Sequence, residues 1–98
     1  MITVGMDYEV LDGKQEVFEN ACNGVIKALN KADGHTRSCL YKDVNKPNAY
    51  LIVSEWDQLE AFKNFISSDQ FRSVTNWGKE QILAKRPNHV VYSQSNLL

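Results

Sequence analysis

The sequence of 98 residues contains few of the side chains that build metal centres and disulfide frameworks. It has only two cysteines, Cys22 and Cys39, and two histidines, His35 and His89. The cysteines lie far apart and form neither a CxxC pair nor a mixed cysteine–histidine spacing, so we expect no metal site and no disulfide scaffold. Two thiols in a reducing compartment are the expected state.

A strong charge of either sign and a long hydrophobic run are also lacking. Eleven basic residues stand against twelve acidic ones, a net charge of −1, so we expect no nucleic-acid partner, which would require a basic patch. No apolar run is long enough to cross a bilayer, and the N-terminus does not resemble a signal peptide. We therefore expect a cytoplasmic protein without a membrane partner. A glycine-rich phosphate loop for flavin or nicotinamide is absent as well.

The composition that is present is that of one globular domain spanning residues 1–98. Hydrophobic residues make up 43% of the chain, which is the usual share for a folded domain. Residues 2–10 alternate between apolar and polar positions, and this predicts a half-buried strand. Residues 15–31 then change to helical spacing, with one wide apolar stripe.

Two further strands are predicted on either side of a turn at residues 45–48. Residues 35–44 and 49–56 form the arms of this hairpin. The second arm is apolar on both faces near Leu51 and Val53. It should therefore be a central strand that is covered on both sides.

The rest of the chain predicts helical segments and a last strand. Asp57 with Glu60 resembles a capping box, which predicts that a helix begins at Asp57. The helical pattern pauses near residues 67–69, resumes, and should end at residues 86–87, where a proline stops it. Residues 89–93 read as a short strand.

The predicted order is β-α-β-β-α-β, which is an α+β arrangement of the ferredoxin-like kind. It has a four-stranded antiparallel sheet with helices on one face. Helices on one side leave the other face of the sheet bare. In so short a chain we expect the cover to be a second copy, packed sheet to sheet as a homodimer.

Three short motifs resemble the antibiotic biosynthesis monooxygenase domain family, within the dimeric α+β barrel superfamily: Glu55-Trp56, Ala61-Phe62 and Ser68-x-x-Phe71. The resemblance covers nearly the whole chain. It implies a homodimer whose two sheets close into a barrel, with a pocket between sheet and helices in each subunit. Relatives in this family include monooxygenases that oxidise anthrone-like polyphenols without metal or flavin, and others that cleave haem.

The haem-degrading branch of the family is a poor match. It uses an asparagine on the first strand, and a tryptophan and a histidine on the helical segment after the third strand. The corresponding positions here hold Met6, Phe65 and Thr75. Haem binding without degradation remains an alternative, with His35 or His89 as the iron ligand.

The resemblance therefore implies a cofactor-independent monooxygenase acting on a small aromatic or quinol-type metabolite. Three residues are the catalytic candidates: His35 as proton acceptor, Tyr50 as a hydroxyl that stabilises an enolate-like oxygen, and Trp56 as a wall for a flat substrate. The candidates for substrate binding are an arginine that could clamp an anion, a histidine and three aromatic side chains: Arg37, Phe62, Phe65, Trp77 and His89.

Each candidate also has an interpretation as a packing residue. Trp56 would then plug the junction between a central strand and the helix that follows it. Arg37 would form an ion pair with Asp7, Glu9 or Glu55 in the dimer interface. If packing explains all of the candidates, the protein is a non-enzymatic dimeric binding or stress-response module.

Overall fold

The computed structural model describes residues 1–85 and 88–93, which form one antiparallel sheet and three helices. The elements are β1 (Ile2–Glu9), α1 (Gln15–Leu29), β2 (His35–Lys42), β3 (Ala49–Trp56), α2 (Leu59–Ile66), α3 (Asp69–Gln81) and β4 (Asn88–Ser93). The strand order is β2-β3-β1-β4. The predicted α+β, ferredoxin-like fold with a four-stranded antiparallel sheet is confirmed.

The core lies between the helices and one face of the sheet. Val4 of β1 is opposite Ser54 of β3 and Val91 of β4, so β1 is a central strand. The predicted alternation of β1 holds, because Val4 and Met6 point into this core and are buried. Phe18, Cys22 and Leu29 from α1 and Phe62 from α2 close it from the helix side.

The opposite face of the sheet carries apolar side chains that no helix covers. Leu51 and Val53 of β3 are half-buried there, while Val90 and Tyr92 of β4 are 40% and 52% exposed. Gly5 of β1 lies between these two strands, and an added Cβ there would be 3.5 Å from both the Leu51 and the Tyr92 side chain. We call this surface the bare face. Apolar side chains therefore occupy both faces of β3, as the sequence predicts.

The start of α2 differs from the prediction. The helix begins at Leu59, after an extended Gln58 that makes no side-chain cap, so the capping box of Asp57 and Glu60 is wrong. Asp57 is held by the start of β2 instead. Its backbone N–H donates to the carbonyl oxygen of Gly34 at 2.8 Å, and its carboxylate accepts from the Thr36 hydroxyl at 3.4 Å.

The third helix ends before the position that the sequence predicts, residues 86–87. α3 closes at Gln81, where the carbonyl oxygen of Gly78 accepts hydrogen bonds from the N–H groups of Ile82 and Leu83, both at 2.9 Å. Ile82 and Leu83 then turn inward and are buried. The predicted end at residues 86–87 lies outside the described residues. Within the part of the chain that the structure describes, none of the helices combines the length and the hydropathy needed to span a bilayer.

Gly34 brings the α1–β2 turn against α2. Its φ of +82° lies in the left-handed region, and an added Cβ would sit 2.6 Å from the Cβ of Ala61. Real Cβ atoms do not approach so closely, so only glycine fits this position. Gly13 has a nearly identical φ of +83°, but an added Cβ there meets no described atom within 4 Å.

These two glycines give a matched test of the contact. Gly13→Ala should lower the free energy of unfolding by about 1–2 kcal/mol, the cost of a left-handed alanine. Gly34→Ala has the same backbone strain and must also displace α2. Its free energy of unfolding should therefore fall by about 1–3 kcal/mol more than that of Gly13→Ala. Urea denaturation of both variants measures the difference. Equal losses would show that Ala61 does not restrict this turn.

Candidate functional site

A cleft lies between α1 and α3 on the helix-covered face of the sheet. The cleft has two parts. The outer part, which we call the outer cleft, has a volume of about 290 Å³, and the inner part, the inner recess, has about 50 Å³ and reaches the sheet at Tyr8 and Ile52. The two spaces share five walls from the two helices: Ala21, Val25, Phe71, Val74 and Trp77. The apolar stripe of α1 supplies one side, and the aromatic residues of α3 supply the other.

The lining of this cleft is apolar and uncharged. Among the described residues that line it, none carries a carboxylate, imidazole, ammonium or guanidinium group. Its polar groups are Tyr8, Cys22 and Thr75 in the inner recess and Gln70 in the outer cleft. Trp77 is 44% exposed. A large aromatic side chain left open beside an apolar cleft is typical of a binding surface.

The two ionisable groups of the inner recess keep their protons at neutral pH. Burial raises the pKa of Tyr8, and the neighbouring Cys22 raises it further. Burial and the nearby carboxylate of Glu19 raise the pKa of Cys22 to about 12. The Tyr8 ring packs against Phe18 with centroids 5.3 Å apart, and its hydroxyl faces the Met6 sulfur at 3.7 Å. Both groups therefore act as hydrogen-bond donors rather than bases or nucleophiles.

Tyr50 of β3 is the cross-strand partner of Tyr8 and also contacts Phe18. The Tyr50 and Phe18 ring centroids are 4.7 Å apart, and the Tyr50 hydroxyl donates to the Glu19 carboxylate at 2.5 Å. Burial, followed by this hydrogen bond, raises the pKa of Tyr50 to about 12. Tyr50 thus contacts a lining residue without itself lining the cleft.

Trp56 fills the corner where β3 leads into α2. It is fully buried, and its indole N–H donates to the Ser54 hydroxyl at 3.0 Å. The rings of His35, Phe62 and Phe65 surround it at centroid distances of 5.1, 5.8 and 5.8 Å. Of these rings Phe65 also lines the outer cleft, so Trp56 supports the cleft wall from behind.

The two histidines lie outside the cleft. The Nε2 atom of His35 is 2.7 Å from the Ser38 hydroxyl. Desolvation lowers the pKa of His35, against a smaller opposing effect of a backbone hydrogen bond with Arg37. The ring of His89 on β4 packs against Phe62 at 5.5 Å. In the described ranges, no group of three histidine, cysteine, aspartate or glutamate side chains could hold a metal ion.

Arg37 projects from the bare face, on the far side of the sheet from the cleft. Its Nε atom is 3.7 Å from the Glu55 carboxylate, one of the partners that the sequence suggests, and its side chain is 63% exposed. Such an exposed pair contributes little to stability. The guanidinium also donates to the Cys39 sulfur at 3.2 Å, and this hydrogen bond lowers the pKa of the thiol.

The structure places the predicted site residues in different parts of the molecule. Phe65 and Trp77 line the outer cleft. The other predicted residues lie elsewhere: Trp56, Phe62, His35 and His89 at the corner, Tyr50 beside Phe18, and Arg37 on the bare face. The roles predicted for all of these residues, Phe65 and Trp77 included, remain predictions.

The predicted catalytic and substrate-binding residues do not include Tyr8, Cys22 and Thr75, which line the inner recess. A signal for Tyr8 exists, since it shares the alternating buried face of β1 with Val4 and Met6. Thr75 follows Phe71 by one helical turn, which places both on the same face of α3.

Comparison with known proteins identifies a family. The sequence model of the family described as antibiotic biosynthesis monooxygenase matches residues 1–77. A Haloquadratum walsbyi protein is 33% identical and a Natronomonas pharaonis protein 36% identical, each over 88 residues and 90% of this chain. The names of both propose heme binding. The match covers 16% and 14% of these relatives, so the chain spans about a sixth of their length or less.

Solved structures share the fold at low sequence identity. A Deinococcus radiodurans protein, whose name proposes an antibiotic biosynthesis monooxygenase, has a TM-score of 0.88 at 14% identity, covering 100% of this chain and 96% of that chain. SnoaB, a cofactor-independent oxygenase from Streptomyces nogalater, has a TM-score of 0.83 at 18% identity, covering 99% and 95%.

The lowered pKa of His35 predicts how stability depends on pH. The folded state favours the neutral imidazole, so the free energy of unfolding should fall as the pH drops from about 6.5, the ordinary histidine pKa, towards the lower pKa of the folded state. Urea midpoints measured across this window test the effect. His35→Gln should flatten the slope. A slope that survives in His35→Gln would assign the effect to other groups.

Proposed function

Because the chain belongs to the antibiotic biosynthesis monooxygenase family, we propose that it binds a small neutral aromatic or quinol-type metabolite in the α1–α3 cleft. We further propose that it oxygenates this metabolite without a cofactor. The observation that supports the proposal is the character of the cleft. It is an aromatic-walled space that reaches the sheet, and its described lining carries polar groups but no charge.

The proposed reaction places few demands on the protein. In an anthrone-type aromatic substrate, a CH₂ group loses a proton, and the resulting electron-rich anion reduces O₂ by itself. One oxygen atom becomes the carbonyl oxygen of the product, and the other leaves as water together with both substrate hydrogens. The protein supplies a dry cavity, hydrogen-bond donors for the oxyanion and an acceptor for the proton.

Named residues can meet these needs. Phe71, Val74 and Trp77 would enclose the rings and exclude water, and Thr75 offers a hydroxyl at the inner recess. Of the three predicted catalytic residues, Tyr50 would act by positioning a wall of the cleft. Its ring contacts the lining ring of Phe18, and its hydroxyl is held by the Glu19 carboxylate.

Haem handling is the second candidate, and the names of the curated relatives favour it. The residues that line the cleft do not offer a suitable ligand for haem iron. The described lining has no imidazole, and Tyr8 and Cys22 are held in the protonated forms that bind iron poorly. Most of each relative also lies outside the matched segment. A haemin titration without a Soret shift, or with a shift that His35→Ala and His89→Ala leave unchanged, would remove this candidate.

The bare face supports the proposal of a homodimer. Leu51 and Val53 lie at its centre and the exposed Val90 and Tyr92 at its edge, so a second sheet packed on them would bury apolar surface. Two sheets packed face to face stand about 10 Å apart and interdigitate their side chains. A two-fold axis makes the same patch serve both subunits.

Oxygen uptake by purified, metal-free protein with a panel of anthrones and quinols tests the activity. We expect uptake above the autoxidation of the substrate, and Trp77→Ala should lower kcat/KM by about tenfold or more because a wall of the cleft is lost. Val17→Ala is a matched control, since Val17 is exposed on α1 to a similar extent and is not among the lining residues. Uptake no higher than autoxidation would favour the non-enzymatic binding or stress-response module.

A lysine on the bare face tests the dimer. Val53→Lys should give a folded monomer in size-exclusion chromatography with light scattering, because burying an unpaired ammonium between two sheets is costly. Val44→Lys makes the same chemical change at a turn position that is 95% exposed, and it should remain dimeric. A monomeric wild type, or a dimeric Val53→Lys variant, would contradict sheet-to-sheet packing.

A further inference from the structure

We propose that Tyr8 is a ligand-positioning residue, whose hydroxyl donates a hydrogen bond to a carbonyl oxygen of the molecule bound in the cleft. The inference rests on the proposed function and adds a specificity to it. The site should prefer a neutral aromatic ketone to the hydrocarbon of the same shape. It does so through a residue of β1 that neither the sequence motifs nor the family match singles out.

The hydrogen bonding of Tyr8 is the first reason. Among the described residues its hydroxyl meets the Met6 thioether at 3.7 Å, and a thioether sulfur is a weak acceptor. Tyr50, the cross-strand partner of Tyr8, instead donates to the Glu19 carboxylate at 2.5 Å. Both tyrosine rings contact Phe18, and Tyr8 is the one whose hydroxyl stands to gain from an oxygen acceptor.

The shape of the cleft is the second reason. The inner recess, at about 50 Å³, exceeds the ~10–15 Å³ that one water molecule requires, but it is too small for a ring system. The outer cleft, at about 290 Å³, lies near the lower end of small-molecule sites. A flat ligand would place its rings beside Phe71 and Trp77 and direct one small polar substituent inward to Tyr8.

Electrostatics decide which substituent this is. Tyr8 and Cys22 keep their protons, so the recess offers donors to an acceptor atom. The described lining offers no cation to neutralise a carboxylate or phosphate. A neutral carbonyl oxygen meets both conditions. If the bound ligand loses a proton next to this carbonyl, negative charge gathers on that oxygen, and the hydrogen bond from Tyr8 strengthens.

The packing of Tyr8 makes it suitable for this role. Its ring is held on a central strand and against Phe18, with centroids 5.3 Å apart. A donor fixed on a strand of the sheet keeps its position better than one on a loop.

The experiment compares 9-fluorenone with fluorene, which share one tricyclic skeleton and differ in the carbonyl oxygen. Equilibrium dialysis gives Kd for both ligands with the wild type, Tyr8→Phe and Tyr92→Phe. Tyr8→Phe should weaken fluorenone binding by about 5- to 10-fold, the effect of one hydrogen bond, and leave fluorene binding unchanged. Tyr92→Phe removes a hydroxyl from the bare face and should change neither Kd.

The remaining outcomes separate the two proposals. Fluorene and fluorenone binding that is equally weakened by Tyr8→Phe would make Tyr8 a packing residue and overturn this inference. Fluorenone binding that Tyr8→Phe leaves unchanged would overturn it as well, while the cleft would stand as the binding site. A wild type that binds neither ligand would overturn the proposed function together with the role of Tyr8. Fluorene binding by Tyr8→Phe at the wild-type Kd also shows that the variant is folded.

Discussion

The burial of Trp56 is the interaction on which the rest of the architecture depends. The indole fills the corner between the central strand β3 and α2, and its N–H is satisfied by Ser54. From there aromatic contacts continue through Phe65 to Phe71, whose ring centroids are 5.1 Å apart. Phe71 is a wall of both parts of the cleft. A residue that lies outside the cleft therefore fixes where α2 and α3 place its walls.

The sheet separates two chemical environments. On the helix side, the described lining of the cleft is uncharged, and the nearby carboxylate of Glu19 is engaged by Tyr50. On the bare face, Arg37, Glu55 and Cys39 interact with one another. Because the described lining of the cleft carries no charged group, its ionisable side chains are protonated hydrogen-bond donors. Such a lining suits a neutral ligand. Burial is the largest cause of the raised pKa values of Tyr8 and Cys22, and the Glu19 carboxylate adds a smaller effect at Cys22.

Local sequence patterns predicted most of the secondary structure, and they failed where a distant contact outweighed them. The alternation of β1 and the hairpin of β2 and β3 follow directly from period-two patterning. Asp57 has the sequence of a helix cap, yet Gly34 and Thr36 hold it at the start of β2. A similar effect acts on β2, where the pairing slips between His35 and Arg37. Strict alternation would put these two side chains on one face, but the slip sends His35 to Trp56 and Arg37 to the bare face.

The sequence by itself determined the fold class, the family and the apolar character of both faces of β3, because these depend on periodicity and on short motifs within single elements. The tertiary structure alone decided which candidates share a cavity. The cleft joins α1, α3 and β1, which are far apart in the chain, and its composition depends on how the two helices cross the sheet. That packing makes Tyr8 a lining residue of the cleft and Trp56 a corner residue, since a sequence pattern gives the face of a side chain but not the neighbour it meets.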